Sequence, residues 1–248
     1  MKFFYDLHIH SCLSPCGSND MTPNNIVNMA ALLGQDIIAL TDHNSAKNCR
    51  AAAEAAEELD LLFVPGMELC TSEEAHIVCL FPTVDAAEQF DELIWKTAMK
   101  IPNDKEKLGD QIIMNSADEP VGEFDYMLTL GSDISVDDVV KKTALFGGVA
   151  YPAHIDRASY SVISTLGAFP YWSGFAACEI TKNGDIEVLC DDYPEIKNLP
   201  HILSSDAHYL ENMNERGAWI DLPERSVSAL LDALGGEIAA RFGRTITD

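Results

Sequence analysis

Short apolar runs alternate with stretches of helical periodicity along almost the whole 248-residue chain, and this alternation constrains the fold more than any other feature. Candidate strands cover residues 3–8, 36–41, 61–65, 76–81, 148–151, 176–181, 202–204 and 218–221. Several are apolar at every position, as expected of strands covered on both faces. Between them, Thr22-Pro23 reads as the N-cap and first position of a helix running to Gly34. Further helices are expected over 46–59, 85–99, 136–146 and 226–242, the last weakened at Gly235-Gly236. The order implies an α/β fold with a mostly parallel sheet, and seven or eight strands fit a closed barrel better than an open sheet. Residues 101–135 break the rhythm. Polar, acidic and poorly periodic, they read as a lid-like insertion in a single domain spanning 1–248.

The histidines carry the chemistry. Of seven, six fall at or near inferred strand ends: His8 and His10 in DLHIH, His43 in TDH, His76 opening HIVCLF, His154 in PAH and His208 in SDAH. His201 lacks a partner motif. Glu68, in PGME, and Asp206 occupy equivalent places. A two-residue spacing puts His8 and His10 on one face of a strand, with Asp6 expected beside them to orient an imidazole. Paired neutral imidazoles suit Zn, Mn or Fe. Most of these strand ends are C-terminal, where α/β barrels place their active sites; His76, at a strand start, is the misfit.

The ordered set HxH, TDH, GxE, a lone His, PAH and SDAH resembles the PHP (polymerase and histidinol phosphatase) family, from Asp6 to His208. The resemblance implies a distorted (β/α)7, TIM-like barrel holding two or three divalent metal ions at the C-terminal ends of its strands. It implies one metal on His8, His10, Glu68 and Asp206, and a second sharing Glu68 with His76 and His154. A third would take His43, His208 and the residue at Cys16, where the family usually has His or Asp. The thiol leaves that site open between a thiolate-held ion and a plain loop cysteine.

Family activities include histidinol-phosphate phosphatase, phosphatases acting on nucleotides and short oligonucleotides, and proofreading nucleases. The implied reaction is phosphomonoester hydrolysis, in which paired metals lower the pKa of a bridging water and neutralise the phosphoryl group. Glu68, Asp206 and His208 are its catalytic candidates, with Asp206 as proton acceptor. Arg157, in PAHIDR, and Lys182, in EITKNG, are candidates for gripping a substrate phosphate.

The remaining composition bears on partners. A net charge of −24 predicts a small anionic substrate and no binding of long duplex nucleic acid. No secretory or transmembrane stretch is visible, which predicts a cytoplasmic location without membrane contact. Seven scattered cysteines without a CxxC pair predict neither a disulfide framework nor a zinc ribbon. Two rivals remain. Amidohydrolases also open with HxH, but commonly bridge their metals with a modified lysine, and no lysine lies between Lys47 and Lys96. A non-catalytic metal-binding module is the other.

Overall fold

The computed structural model describes residues 1–245. In chain order its elements are β1 (Lys2–Ile9), α1 (Pro23–Leu32), β2 (Ile37–Leu40), α2 (Cys49–Ala56), β3 (Leu62–Cys70), β4 (His76–Leu80) and α3 (Val84–Thr97). There follow α4 (Lys105–Leu108), β5 (Ile112–Met114), β6 (Pro120–Glu123), α5 (Val136–Ala144), β7 (Val149–Pro152) and α6 (Val162–Leu166). The chain closes with β8 (Cys178–Ile180), α7 (Ile186–Asp192), β9 (His201–Leu203), β10 (Ala218–Asp221), α8 (Val227–Leu234) and β11 (Arg241–Arg244).

Seven strands form one curled sheet in the order β11-β10-β1-β2-β3-β4-β7, and β8 and β9 pair separately. The wall is a distorted half-barrel. A mostly parallel sheet was expected, but parallel pairing is confined to β1–β2, β2–β3 and β8–β9. β4, β7, β10 and β11 enter antiparallel. The antiparallel β3–β4 pair sets Cys70 opposite His76. This explains the misfit of His76, because the start of β4 lies at the same edge as the end of β3.

Alternate residues of the central strands feed two apolar layers, which is why these strands are apolar throughout. Ile38, Leu40, Met67, Leu69, Ile77 and Cys79 pack outward with residues of α1, α2, α3 and α5. Tyr5, Leu7, Ile37, Ala39, Val64, Val78 and Leu80 point inward, where Leu230, Leu231 and Leu234 of α8 join them. Phe3, Leu62 and Val149, at the starts of their strands, flank this inner cluster, so α8 plugs the end of the barrel opposite the histidines. The helix expected over 226–242 stops at Leu234. Gly236 takes a left-handed φ of 79°, and the remainder becomes β11, paired with β10.

The 101–135 segment is not structureless. It contains α4 and the β5–β6 hairpin, and Gln111, fully buried, bonds the backbone of Phe124, Tyr126 and Leu128. All seven cysteines are free thiols, five of them buried. None of the described helices is long and apolar enough to cross a membrane.

Candidate metal centre

β1 delivers the first two donors. Its register shifts between Asp6 and Ile9, so Leu7 packs into the inner cluster and Ile9 into the outer one. That irregularity separates Asp6 from the imidazoles. Asp6 instead accepts hydrogen bonds from the backbone N–H of Ser205 (2.9 Å) and Asn214 (3.3 Å), pinning the SDAH loop rather than orienting a histidine.

Glu68 owes its position to Gly66. A Cβ there would stand 2.7 Å from the Cys79 carbonyl oxygen, so only glycine lets β3 approach β4 this closely. The Glu68 carboxylate then faces five imidazoles. Oε1 lies 3.3 Å from His8 Nε2, 2.9 Å from His76 Nδ1 and 3.1 Å from His154 Nε2. Oε2 lies 2.8 Å from His43 Nδ1 and 3.5 Å from His10 Nε2. Asp206 Oδ1 approaches His8 and His10 Nε2 at 3.3 and 3.1 Å. His208 stacks on His10, with ring centroids 4.1 Å apart.

Neighbours fix the protons of two imidazoles. A carboxylate only accepts, so Glu179, 3.0 Å from His8 Nδ1, places the proton on that nitrogen. Ser14 spends its single hydroxyl proton on Asp42 (2.7 Å) and must accept from His10 Nδ1 (2.9 Å). Both Nε2 lone pairs therefore face the pocket, 3.1 Å from each other. Two lone pairs at that separation repel unless a cation or proton lies between them. Asp206 Oδ1, Glu68 Oε2 and His43 Nδ1 are buried without a hydrogen bond of acceptable geometry, as metal donors would be. Donors about 2.0–2.1 Å from one ion stand about 3.0–3.4 Å apart, which matches most of these spacings. The donor set fits divalent metals.

Without a cation, protons settle the charge. Burial raises the Glu68 carboxyl, yet His76, His8 and His43 outweigh it and hold the group well below the usual carboxylate range. Asp206 also falls, as His8 and His10 overcome its burial. Burial lowers His8, but Glu179, Asp206 and Glu68 carry it well above its ordinary value. Glu68 likewise lifts His43 against burial, to about 10. His10 is pushed well below its ordinary value by burial and by the imidazoles of His208 and His43. Metal entry must displace the protons held here.

Three donor triplets converge: His8, His10 and Glu68; His43, Glu68 and His76; and His10, His43 and His208. In the last, His10 stands where Cys16 was expected. Cys16 lies beside this triplet; burial raises its thiol, but hydrogen bonds with His208 and His43 bring it down to about 6. A cavity of about 450 Å³ opens over the cluster, lined by Cys16, His43, Glu68, His76, Arg157 and Asp206 among others. Met127 and Leu130, from the 101–135 segment, add an apolar wall. Arg157 Nη2 holds Asp206 Oδ2 at 2.6 Å. Lys182 lines an adjoining hollow with His154, Glu179 and Asp206. His201 bonds the Ile196 carbonyl, apart from the site.

The sequence reading missed Glu179, Asp42, Ser14 and Tyr160. Glu179 is an acidic residue inside an apolar run, and Asp42 directly precedes His43; both were visible signals. Tyr160, whose ring stacks on His76 with centroids 4.8 Å apart, had none. Of six non-glycine residues at positive φ among the described residues, five (Asn44, Glu74, His154, Tyr160 and Asp206) lie in or beside this site. Such strain concentrates where surrounding structure holds a functional geometry.

Comparison with known proteins finds relatives of the sequence and of the fold. A 5′-3′ exoribonuclease of Haemophilus influenzae is 32% identical over 114 residues, 42% of this chain and 40% of that protein. The lesion-specific endonuclease Endonuclease Q of Pyrococcus furiosus superposes with a TM-score of 0.72 at 16% identity, over 98% of this chain and 58% of that one. The chain thus spans less than two thirds of either relative. An amidohydrolase of Chromobacterium violaceum shares the fold with a TM-score of 0.59 at 18% identity, over 92% of this chain and 96% of that one.

The expectation that net charge excludes long duplex nucleic acid is overturned. Endonuclease Q has been solved with a 27-mer duplex whose abasic lesion lies at the active site, and that structure matches 97% of this chain with a TM-score of 0.71. A fold of this kind can present its active site to a duplex, and total charge says little about the local field there. Family and donor cluster together support a metal-dependent hydrolase. The PHP domain model matches residues 6–242, and the chain belongs to the PHP domain family.

Proposed function

We propose that this chain hydrolyses phosphate esters at a centre of two or three divalent metal ions. The observation that carries this reading is an eight-residue donor cluster beside a guanidinium, Arg157, in a chain with only 16 basic residues against 40 acidic ones. Carboxylates outnumber cations, so a cation kept at the pocket points to an oxyanion substrate. His8, His10, Glu68 and Asp206 would hold one ion, and Glu68 with His76 and His154 a second. A third would take His43 and His208, with Cys16 if the thiol joins. When bound, such ions lower the pKa of water and neutralise charge on a phosphoryl group.

The residues of the chain do the rest. Glu179 and Ser14 keep the His8 and His10 lone pairs aimed inward, which preorganises the donors. Asp206 turns Oδ1 to the cluster and accepts from Arg157 at Oδ2, so it is placed to accept a proton beside a gripped phosphate. Arg157 is half-exposed at the mouth and can swing from Asp206 to substrate. Lys182 reaches the same region from the loop after β8. The substrate class that fits is a nucleotide, an oligonucleotide or another small phosphate ester. A modified-lysine amidohydrolase centre has less support, since no lysine lines the pocket over the cluster.

Protein reconstituted with Zn, Mn or Fe should turn over at least one member of a panel of histidinol phosphate, mononucleotides, nucleoside bisphosphates and short oligonucleotides. Turnover of amide substrates alone, or none above the metal-free control, refutes the reading.

A further inference from the structure

Arg50, Arg157, Arg225 and Arg241 each hold a carboxylate within 4 Å. Among the described residues the other two arginines, Arg216 and Arg244, hold none, and both line the same hollow with Lys182. Basic residues are outnumbered by 40 to 16, so the convergence of three cations that meet no carboxylate within 4 Å among the described residues is unexpected unless an anion is meant to complete them.

Topology puts this hollow on the metal face. Lys182 follows β8, and Leu203 and Ser204 run from the end of β9 towards Asp206. Arg216 precedes β10, and Ala218 pairs with Arg244 of β11. The hollow measures about 170 Å³, several times the ~30 Å³ share of a water molecule in the liquid. Its walls continue into the catalytic pocket. Lys182 and Ser204 also line a neighbouring cavity of about 230 Å³, whose Arg157 and Asp206 in turn line the metal pocket. Arg244 Nη1 rests on the Lys182 carbonyl and Arg216 lies over the Phe4 ring, so both guanidiniums are positioned by groups that leave their charge in place, and no described carboxylate pairs with either. Glu215 shares the rim but pairs with none of the three.

We propose that Lys182, Arg216 and Arg244 form a second phosphate subsite, holding a phosphate of the substrate other than the one being hydrolysed. The inference rests on the phosphoesterase reading and narrows it to substrates with at least two phosphates. The second group is either the other phosphate of a nucleoside bisphosphate or a backbone phosphate of an oligonucleotide strand, and the chemistry is shared.

Arg244 carries the test, because Arg216→Ala would also remove the stack on Phe4. Metal-loaded wild type, Arg244→Ala, Arg244→Glu and Arg244→Lys are compared on a nucleoside 5′-monophosphate, the matching 3′,5′-bisphosphate and a 5′-phosphorylated trinucleotide. The preference in kcat/KM for a two-phosphate substrate over the monophosphate should fall about tenfold in Arg244→Ala and further in Arg244→Glu. Arg244→Lys should restore part of it. A fall for the bisphosphate alone, or for the trinucleotide alone, identifies the source of the second phosphate. An unchanged preference for both overturns the subsite.

A binding measurement separates this from failure of the parent reading. Fluorescence anisotropy of the labelled trinucleotide on metal-depleted protein should show about tenfold weaker binding and a shallower salt dependence in Arg244→Glu. Equal affinity of wild type and Arg244→Glu overturns the subsite even if the enzyme is an active phosphoesterase. Thermal melting of each variant shows whether it is folded.

Discussion

His8 and His10 leave β1 with their Nδ1 protons already committed to Glu179 and Ser14, whereas His154 and Asp206 reach the same pocket from loops with backbone φ of 29° and 50°. The strand-borne half is thus aimed by side-chain partners. The loop-borne half is aimed by backbone conformations costing about 1–3 kcal/mol each, which persist only because their surroundings hold them. Asp6 is one such holder, through Ser205 and Asn214. Glu179 serves both halves, since its Oε1 also accepts from the His154 backbone N–H at 3.1 Å. Partner deletion should therefore loosen metal on the strand side, and anchor deletion should loosen the fold on the loop side.

Glu68 is where the halves meet, and its removal should have the largest effect. Glu68→Gln is expected to lose two metal equivalents together and to bring activity down to the metal-free background. Elemental analysis showing a single equivalent lost would mean that the two halves bind metal independently. Glu179→Ala comes next, with metal affinity or activity falling about 10–100-fold, the usual consequence of losing a partner behind a ligating histidine. Glu179→Gln should recover part of that, because its amide oxygen still accepts from His8 Nδ1. A Glu179→Ala protein with unchanged metal affinity would leave the strand side aimed by packing alone.

Asp6→Ala probes the other half. It strands two backbone N–H donors, at about 1–3 kcal/mol each, and each kcal/mol lowers Tm by roughly 2–4 °C in a chain this size. The expected signature is a lower melting temperature with metal affinity falling less than in Glu179→Ala. A loss of metal as large as that of Glu179→Ala, at unchanged Tm, would erase the distinction between the halves.

The same distinction explains what the sequence made legible. β1, β2 and β3 could be read because strands covered on both faces leave continuous apolar runs. The donors could be read because metal chemistry requires His and carboxylate at strand ends, and DLHIH, PGME and SDAH break such runs conspicuously. Strand direction was only partly legible: the five-residue link between β3 and β4 is too short for a parallel crossover and signals a hairpin, whereas β7 owes its antiparallel entry to long-range pairing with β4. The shift in β1 that parts Asp6 from His8 is equally silent in composition. β11 was hidden because residues 226–242 are moderately apolar throughout, and only Gly235-Gly236 hinted that the helix ends there. Tyr160 was invisible because its contact with His76 depends on a loop conformation at φ 57°.

Cys16 offers the smallest effect and the finest test. Two donor sets compete for the third ion: His43 and His208 with the loop-borne Cys16, or the same two histidines with the one free lone pair of His10, which the first ion would then lose. A thiolate ligand is softer than imidazole and would favour Zn or Fe over Mn at this position. It would also be shielded from alkylation while metal is bound. With the hydrogen bonds of His208 and His43 drawing its pKa to about 6, the free thiol should be reactive near neutral pH. Alkylation mapped by mass spectrometry with and without chelator decides, with half-buried Cys190 as internal reference. If Cys16 is a ligand, chelation should speed its modification about tenfold relative to Cys190 and Cys16→Ser should lose the third equivalent. Equal modification in both conditions means that Cys16 is not a ligand and that His43 and His208 hold a third ion weakly or not at all, and the loop-borne half then ends at His208.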